Sequence, residues 1–270
     1  MPEGDIVRRT ATRLDEALAG RVLVRAQLRW PTAAEVDLVG RMLLGTASYG
    51  KHLLTRFDDG RTLHTHLRMD GSWAIARTGS RAARARGDWV RAVLADPTWT
   101  VVGERIGMLD VVRTRDEHLL VGHLGPDLLA SDFPVEGLPE ALARLAARGQ
   151  TPVAEVLLDQ RVVAGIGTIY TAESLFARRL WPWTPADQVA DPAALLLAAR
   201  SMMQRSVAAP SPTATGESAP GRRTLVHGRS RLPCRRCGTP IAVGRAVKPP
   251  LDRPVFYCPA CQREGLTSVA

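Results

Sequence analysis

The sequence predicts a multidomain α+β protein: a helix, a run of short strands, a helical segment and a small cysteine-bearing tail, in that order. Three observations carry the expectation. Apolar residues recur at helical spacing near the start, the next hundred residues alternate short β-runs with turn residues, and the pattern turns helical after Ser131-Asp132-Phe133-Pro134. With 270 residues and a hydrophobic fraction of 45%, the chain is long enough for one large or two ordinary domains with real cores.

Asp5 is expected to cap the first helix, whose apolar positions Ile6, Val7, Ala11, Leu14, Ala17 and Leu18 share a face and which Gly20 ends. Residues 22–28, 90–94 and 108–112 read as strands. The clearest β unit is 51–57 with 61–67 around Asp58-Asp59-Gly60, since Asp-Gly favours a tight hairpin turn. Residues 138–148, 151–158, 168–179 and 192–207 read as helices. Thr151-Pro152 and Asp191-Pro192 each offer a capping side chain followed by proline at the first helical position. The Ala/Pro/Ser/Thr/Gly mixture of 208–221 supports no core and reads as a mobile loop. No internal repeat is visible.

The formal net charge of +9 suits a polyanionic partner, because clustered cations release the counterions condensed on a phosphate backbone. Charge alone fits a solvated basic surface equally well. Among the basic residues only Lys51 and Lys248 are lysine. An ammonium can shift its pKa and move a proton where a guanidinium cannot, so Lys51 stands out. The acidic start Met1-Pro2-Glu3-Gly4-Asp5 lacks the pattern of a secretory leader, and no window is apolar for the roughly 18 residues a membrane span needs. A cytoplasmic protein that makes no use of a membrane is the expectation.

All four cysteines lie in the tail as Cys234-x-x-Cys237 and Cys258-x-x-Cys261, with 20 residues between the pairs. Two knuckles of this kind close a tetrahedral thiolate site when a hairpin brings them together, which predicts one structural Zn2+ and no open coordination position. Disulfides fit poorly without a secretory leader, and a redox pair lacks a flanking βαβ pattern. Arg245, Lys248 and Arg253 fall on the intervening hairpin, within reach of a phosphate backbone.

The chain also resembles the formamidopyrimidine-DNA glycosylase and endonuclease VIII family along nearly its full length. Four separated motifs agree in order: Pro2-Glu3-Gly4; Tyr49-Gly50-Lys51-His52-Leu53-Leu54; Gln160-Arg161-Val162-Val163-Ala164-Gly165-Ile166-Gly167-Thr168-Ile169-Tyr170; and Arg253-Pro254-Val255-Phe256-Tyr257-Cys258-Pro259-Ala260-Cys261-Gln262. His66-Leu67-Arg68-Met69-Asp70-Gly71-Ser72 and His123-Leu124-Gly125-Pro126-Asp127 add support. The resemblance implies an N-terminal catalytic β-sandwich over 1–130, a hinge at 131–137, a helix-two-turns-helix domain over 138–225 and a zinc finger over 226–264. DNA would lie in the cleft between domains. It further implies a monomer that excises damaged bases from double-stranded DNA and cuts the abasic strand, with no organic cofactor.

Removal of Met1 leaves Pro2 as a secondary amine, and a terminal amine with a pKa near roughly 8 is partly neutral and nucleophilic at pH 7. The resemblance makes Pro2 the covalent nucleophile, Glu3 a proton donor in sugar-ring opening, Lys51 a general acid, and Arg253 a phosphate ligand acting in δ-elimination. It assigns His66, His123, Gly165, Gly167 and Thr168 to DNA contacts and makes Met69 the apolar wedge that fills the gap left by a flipped nucleotide. Three departures stand out: Thr168 where asparagine is common, Ile6 where a second glutamate is frequent, and Glu104-Arg105-Ile106 where many members have two arginines and a phenylalanine. The last leaves Ile106 as the expected wedge on the opposite strand. Pro2-Glu3-Gly4 is closer to the endonuclease VIII branch, which implies oxidised pyrimidines as substrates. The alternatives are the same chemistry on oxidised purines, or a noncatalytic zinc-containing protein that binds damaged DNA.

Overall fold

The computed structural model describes residues 2–246 and 252–264, and Lys248 lies outside them. The chain divides into two compact units, residues 1–123 and 124–270. In the first unit, helix α1 (Gly4–Leu18) buries Val7, Ala11, Leu14 and Leu18 along one stripe. That spacing fixes which face meets the sheet. The helix starts earlier than expected from a cap at Asp5. Glu3 is the N-cap and its carbonyl accepts Val7 N–H at 3.1 Å, while Asp5 sits inside the first turn, where its charge favours the positive end of the helix.

Two antiparallel sheets form the sandwich. One has the order β1 (Arg21–Val22), β3 (Met42–Tyr49), β4 (His52–Phe57), β5 (Arg61–His66) and β9 (Met108–Arg113). The other runs β2 (Arg25–Leu28), β7 (Val90–Ala95), β8 (Trp99–Glu104) and β6 (Ser72–Arg77). Leu23, Leu43, Leu53, Phe57, Leu63 and Leu109 meet Leu28, Trp73, Leu94 and Val101 in one core. The expected single strand over 22–28 is therefore two strands in different sheets, because Leu23 N–H bonds Arg41 O while Val24 N–H bonds Ala95 O. Side chains alternate along a strand, so Leu23 and Leu28, both buried at an odd spacing, cannot share a face of one unbroken strand.

A bulge between Leu43 and Gly45 brings the first sheet against α1, where Thr46 N–H donates to Asp15 Oδ1 at 2.8 Å. A side chain at 45 would crowd that carboxylate, since a Cβ there would lie 3.2 Å from Asp15 Oδ1. The expected hairpin is present as β4 and β5, turned at Gly60 with φ +77°. On its outer face Arg56 grips Glu117 through two bonds of 2.8 and 2.7 Å, and Thr62 Oγ1 donates to the same carboxylate at 2.6 Å. These contacts seat the short helix α2 (His118–Val121) and its approach.

The second unit is helical: α3 (Leu138–Ala146), α4 (Val153–Leu158), α5 (Thr168–Ala177) and α6 (Pro192–Ala208), with a hairpin of β10 (Ala242–Arg245) and β11 (Pro254–Tyr257). Asp191 caps α6 as expected, its Oδ1 accepting Ala194 N–H at 2.8 Å. Thr151 does not cap α4. Pro152 holds that position, and Val153 N–H is taken instead by Thr184 O. The 208–221 segment, expected to contribute no core, buries Thr213 and Ala214, because Thr213 N–H bonds Ser206 Oγ and Ala214 N–H bonds Arg223 O.

Three rings join the end of the α5 region to the hairpin. Trp181 and Trp183 lie 4.8 Å apart and each meets Tyr257 edge-on at 5.1 Å. Trp183 also donates Nε1–H to Arg245 O at 2.9 Å and packs against Gly244, where any Cβ would strike the indole.

Candidate active site and metal centre

In the N-terminal unit, Glu3 is wholly buried and Pro2 half-buried ahead of α1. Lys51 is 9% exposed, in the two-residue turn that Gly50 and Lys51 make between β3 and β4. Tyr49 pairs with His52 across that turn, and Gly50 adopts φ +55°, which glycine tolerates best. Burying a lysine ammonium costs free energy unless it is compensated, so its placement is a specific feature of the fold.

Next to Lys51 lies a group of histidines that the sequence reading passed over in part. His52, His64, His66 and Asp110 share the sheet face opposite the core, since His52 faces His66 and His64 faces Asp110 across adjacent strands. His52 Nδ1 lies 2.8 Å from His64 Nε2, and His64 Nδ1 lies 3.3 Å from Asp110 Oδ2. The His52 and His64 rings stack at 5.0 Å, and His66 meets His52 edge-on at 4.8 Å. Burial holds His52 down at about 3, helped by its histidine neighbours and Arg68. Burial, Arg68 and Lys51 hold His66 at about 4. His64 is also lowered by burial, against the pull of Asp110.

A stability profile follows. These imidazoles stay neutral in the folded protein while the unfolded chain takes up protons below its ordinary value of about 6.5, so stability is complete above that pH and falls as pH drops toward about 4. Urea midpoints should drop between pH 7 and pH 5, and His52→Gln should flatten that slope. An unchanged slope would exclude His52 as a contributor.

Met69 is 59% exposed at the tip of the turn after β5. Arg68 at φ +54° and Gly71, where a Cβ would come within 2.4 Å of Leu67 O, force the tight geometry that presents it. Ile106 is not available as a wedge. It is 2% exposed and packs its Cδ1 over Gly103 in the sandwich core, because the positive φ of Arg105 turns the apolar side chain inward.

In the second unit the motif of residues 160–170 forms a loop braced from two sides. Gln160 Oε1 accepts Gly165 N–H at 3.0 Å while its Nε2 donates to Ile166 O at 2.9 Å. Residues 125–128 run beside it, with Gly125 N–H to Gln160 O, Ala164 N–H to Pro126 O and Leu128 N–H to Ala164 O. Gly125 is required there, as a Cβ would lie 2.3 Å from Val162 O. The loop delivers Gly165 at φ +105° and Gly167 as the N-cap of α5, so the first turn of α5 offers backbone N–H donors. Thr168 Oγ1 stands 3.5 Å from His227 Nε2 at that same end.

Glu173 on α5 is 1% exposed, and its carboxylate accepts the backbone N–H groups of Leu225, Val226 and His227, each at 2.8 Å. Burial pushes the Glu173 pKa up, and the carboxyl group is satisfied by the chain that leads into the cysteine module, a link no sequence pattern announced. His123 is exposed at the end of the first unit, and Arg253 is exposed immediately before β11.

The four cysteines converge as expected. The sulfurs of Cys234, Cys237, Cys258 and Cys261 all lie within 4.8 Å of one another. A tetrahedron of metal–sulfur bonds of about 2.3 Å has edges near 3.8 Å, so this donor set fits a metal ion with four protein ligands. The Sγ atoms of Cys234 and Cys258 each also accept a backbone N–H at 3.4 Å, from Arg236 and Cys261, the usual support for thiolate charge.

Residues 1–106 match the formamidopyrimidine-DNA glycosylase N-terminal domain, and residues 124–216 match the formamidopyrimidine-DNA glycosylase H2TH domain. The chain belongs to the formamidopyrimidine-DNA glycosylase and endonuclease VIII family. It is 43% identical over 264 residues to a probable endonuclease 8 2 of Streptomyces coelicolor, across 97% of this chain and 94% of that protein. It is 38% identical to the DNA-(apurinic or apyrimidinic site) lyase Nei2 of Mycolicibacterium smegmatis, across 97% and 99% of the two chains. The fold matches the Lactococcus lactis formamidopyrimidine-DNA glycosylase crystallised on DNA containing an abasic site, with a TM-score of 0.79 at 20% identity, over 97% of this chain and all of that one. The family's N-terminal domain therefore carries Pro2, Glu3, Lys51, His66 and Met69, and its H2TH domain carries Gly165, Gly167 and Thr168. Among the described residues no helix is long and apolar enough to cross a membrane.

Proposed function

We propose that this glycosylase-family chain releases oxidised pyrimidines from duplex DNA and then cleaves the abasic strand, with Pro2 as the covalent nucleophile. The observation that carries the reading is the start of α1. Pro2, a secondary amine once Met1 is removed, stands next to a fully buried carboxyl group, Glu3, at the head of a domain that matches this family. Attack of the Pro2 nitrogen on the deoxyribose C1′ forms a C–N bond as the bond from C1′ to the base breaks. Glu3 delivers a proton to the ring oxygen as the sugar opens. The resulting iminium nitrogen draws electrons from C1′, which acidifies the C2′ proton, and its loss expels the 3′-phosphate.

Lys51 serves as the proton donor and acceptor in these steps, suited by a buried position and a shiftable pKa. Arg253, exposed ahead of β11, neutralises the departing phosphate. His66, His123, Gly165, Gly167 and Thr168 bind the phosphate backbone. The four cysteines hold one structural zinc, whose chemistry is to fix the hairpin that bears Arg253.

Oxidised pyrimidines are favoured over purines on two grounds. Relatives 43% and 38% identical to this chain carry endonuclease 8 and Nei2 names. The 208–221 segment also buries Thr213 and anchors Ala214 in the core, which shortens the chain free to fold over a larger base. At equal salt, thymine glycol or dihydrouracil should be excised faster than 8-oxoguanine in single-turnover assays on matched duplexes. Met69→Ala should slow excision by about tenfold while sparing cleavage at a preformed abasic site, because flipping costs a few kcal/mol and the wedge offsets part of it. Faster release of 8-oxoguanine would move the enzyme to the purine-directed branch.

A further inference from the structure

The outer face of the first sheet holds more titratable groups than the proposed chemistry uses. His52, His64 and Asp110 come from three neighbouring strands, β4, β5 and β9, and form an unbroken chain of contacts at 2.8 and 3.3 Å. The protons in it can be placed by elimination. A carboxylate oxygen only accepts, so Asp110 Oδ2 takes the hydrogen on His64 Nδ1. A neutral His64 then presents a bare Nε2, which requires His52 to donate from Nδ1. His52 is left with an unprotonated Nε2, in a ring held by stacking on His64 and by an edge contact with His66. His66 is fixed in the opposite sense, since its Nδ1 accepts Arg68 N–H at 2.9 Å and its proton therefore sits on Nε2.

The chain begins at the residue that closes the turn carrying Lys51. A two-residue turn at the end of a hairpin is the least supported part of a sheet, yet here its closing residue is tied across two further strands to β9. The middle member is the most protected, as the His64 side chain is 1% exposed while that of Asp110 is 39% exposed. A buried polar chain of this kind is costly unless every member is satisfied, and here each ring nitrogen used has a defined role.

We propose that His52, His64 and Asp110 are positioning residues that lock the Lys51 turn and keep an uncharged imidazole beside its ammonium. The inference rests on the reading of Lys51 as the acid–base group. Neutrality matters because an imidazolium next to Lys51 would repel its charge and alter its readiness to hold a proton. The groups that face this cluster are Lys51, His66, Arg68 and His123, so an added charge on His52 would enter a site that Arg68 and Lys51 already make positive.

The test combines a direct readout with a double-mutant cycle on the full-length protein. Long-range 1H–15N correlation spectra at pH 6.5 should show neutral His52 and His64, both with the proton on Nδ1, and Asp110→Ala should release that tautomer of His64. An imidazolium, or an Nε2–H tautomer of His52, would overturn the chain while leaving the role of Lys51 standing. In single-turnover cleavage of abasic duplex, His64→Leu and Asp110→Ala should each be slowed by about tenfold to a hundredfold, the scale of a misplaced catalytic group. His64→Gln, whose Oε1 can replace the Nε2 acceptor, should recover most of the rate. In a Lys51→Ala background the same changes should cost less than about twofold, the margin within which independent effects add. Losses that multiply instead mean a general structural role and defeat the inference. If Lys51→Ala alone has full activity, the reading of Lys51 falls and the positioning inference with it, while the spectra still report whether the chain exists.

Discussion

An uncleaved tag ahead of Pro2 should lower base release and strand cleavage by a factor of roughly 10⁴ or more, the scale seen when a covalent nucleophile is removed. The argument is chemical. The free terminal nitrogen has a lone pair that is partly unprotonated near neutral pH, whereas the same nitrogen in an amide has its lone pair delocalised into the carbonyl. Glu3, Lys51 and the sandwich core remain in place, so DNA affinity and circular dichroism should change little. Borohydride should trap the native protein on abasic DNA and fail to trap the tagged one. Equal trapping of both would show that Pro2 is not the nucleophile and would redirect attention to Lys51.

The second large effect concerns the cysteine centre. Elemental analysis should find one zinc per chain, and Cys258→Ser should lose it. Structural zinc binding in small modules is worth about 10–16 kcal/mol, more than the hairpin's own packing can supply. Cys258 and Cys234 are buried with Ala172, Phe176, Val226 and Ile241 in a small cluster of the second unit. None of those residues belongs to the sandwich core, so the N-terminal unit should stay folded and melt as before. DNA affinity, read by fluorescence anisotropy, should fall by roughly tenfold or more, the cost of losing a charge-assisted contact such as that expected of Arg253. A metal-free preparation with full affinity would rule out a role for the metal in placing the hairpin.

Local patterns in the sequence revealed the order of elements, the cap at Asp191 and the cysteine pairs, because each depends on residues close together in the chain. The division at Leu23 and Val24 was visible in principle through the odd spacing of two buried leucines, yet the run of β-formers masked it. Ile106 departs from the expected wedge for a different reason. A position borrowed from a family motif says nothing about the positive φ of Arg105, which decides where the next side chain points. The association of His52, His64 and Asp110 depends on strand register across 46 positions of sequence separation between the last two, and no local periodicity encodes that. The same holds for Glu173, whose three backbone partners lie more than fifty residues downstream. Alternation of histidines at 64 and 66 was the one available hint that this face of β5 was not an ordinary solvated surface.

The aromatic seat of the hairpin has an optical consequence. Of the six tryptophans, only Trp181 and Trp183 belong to the helical unit, and both touch Tyr257 on β11. Indole emission depends on local polarity and on hydrogen bonding at Nε1, and the Trp183 Nε1 bond to Arg245 O lasts only while β10 is seated. With the other four indoles replaced by phenylalanine, intrinsic fluorescence becomes a label-free record of hairpin docking, able to time metal loading and DNA engagement on one chromophore pair.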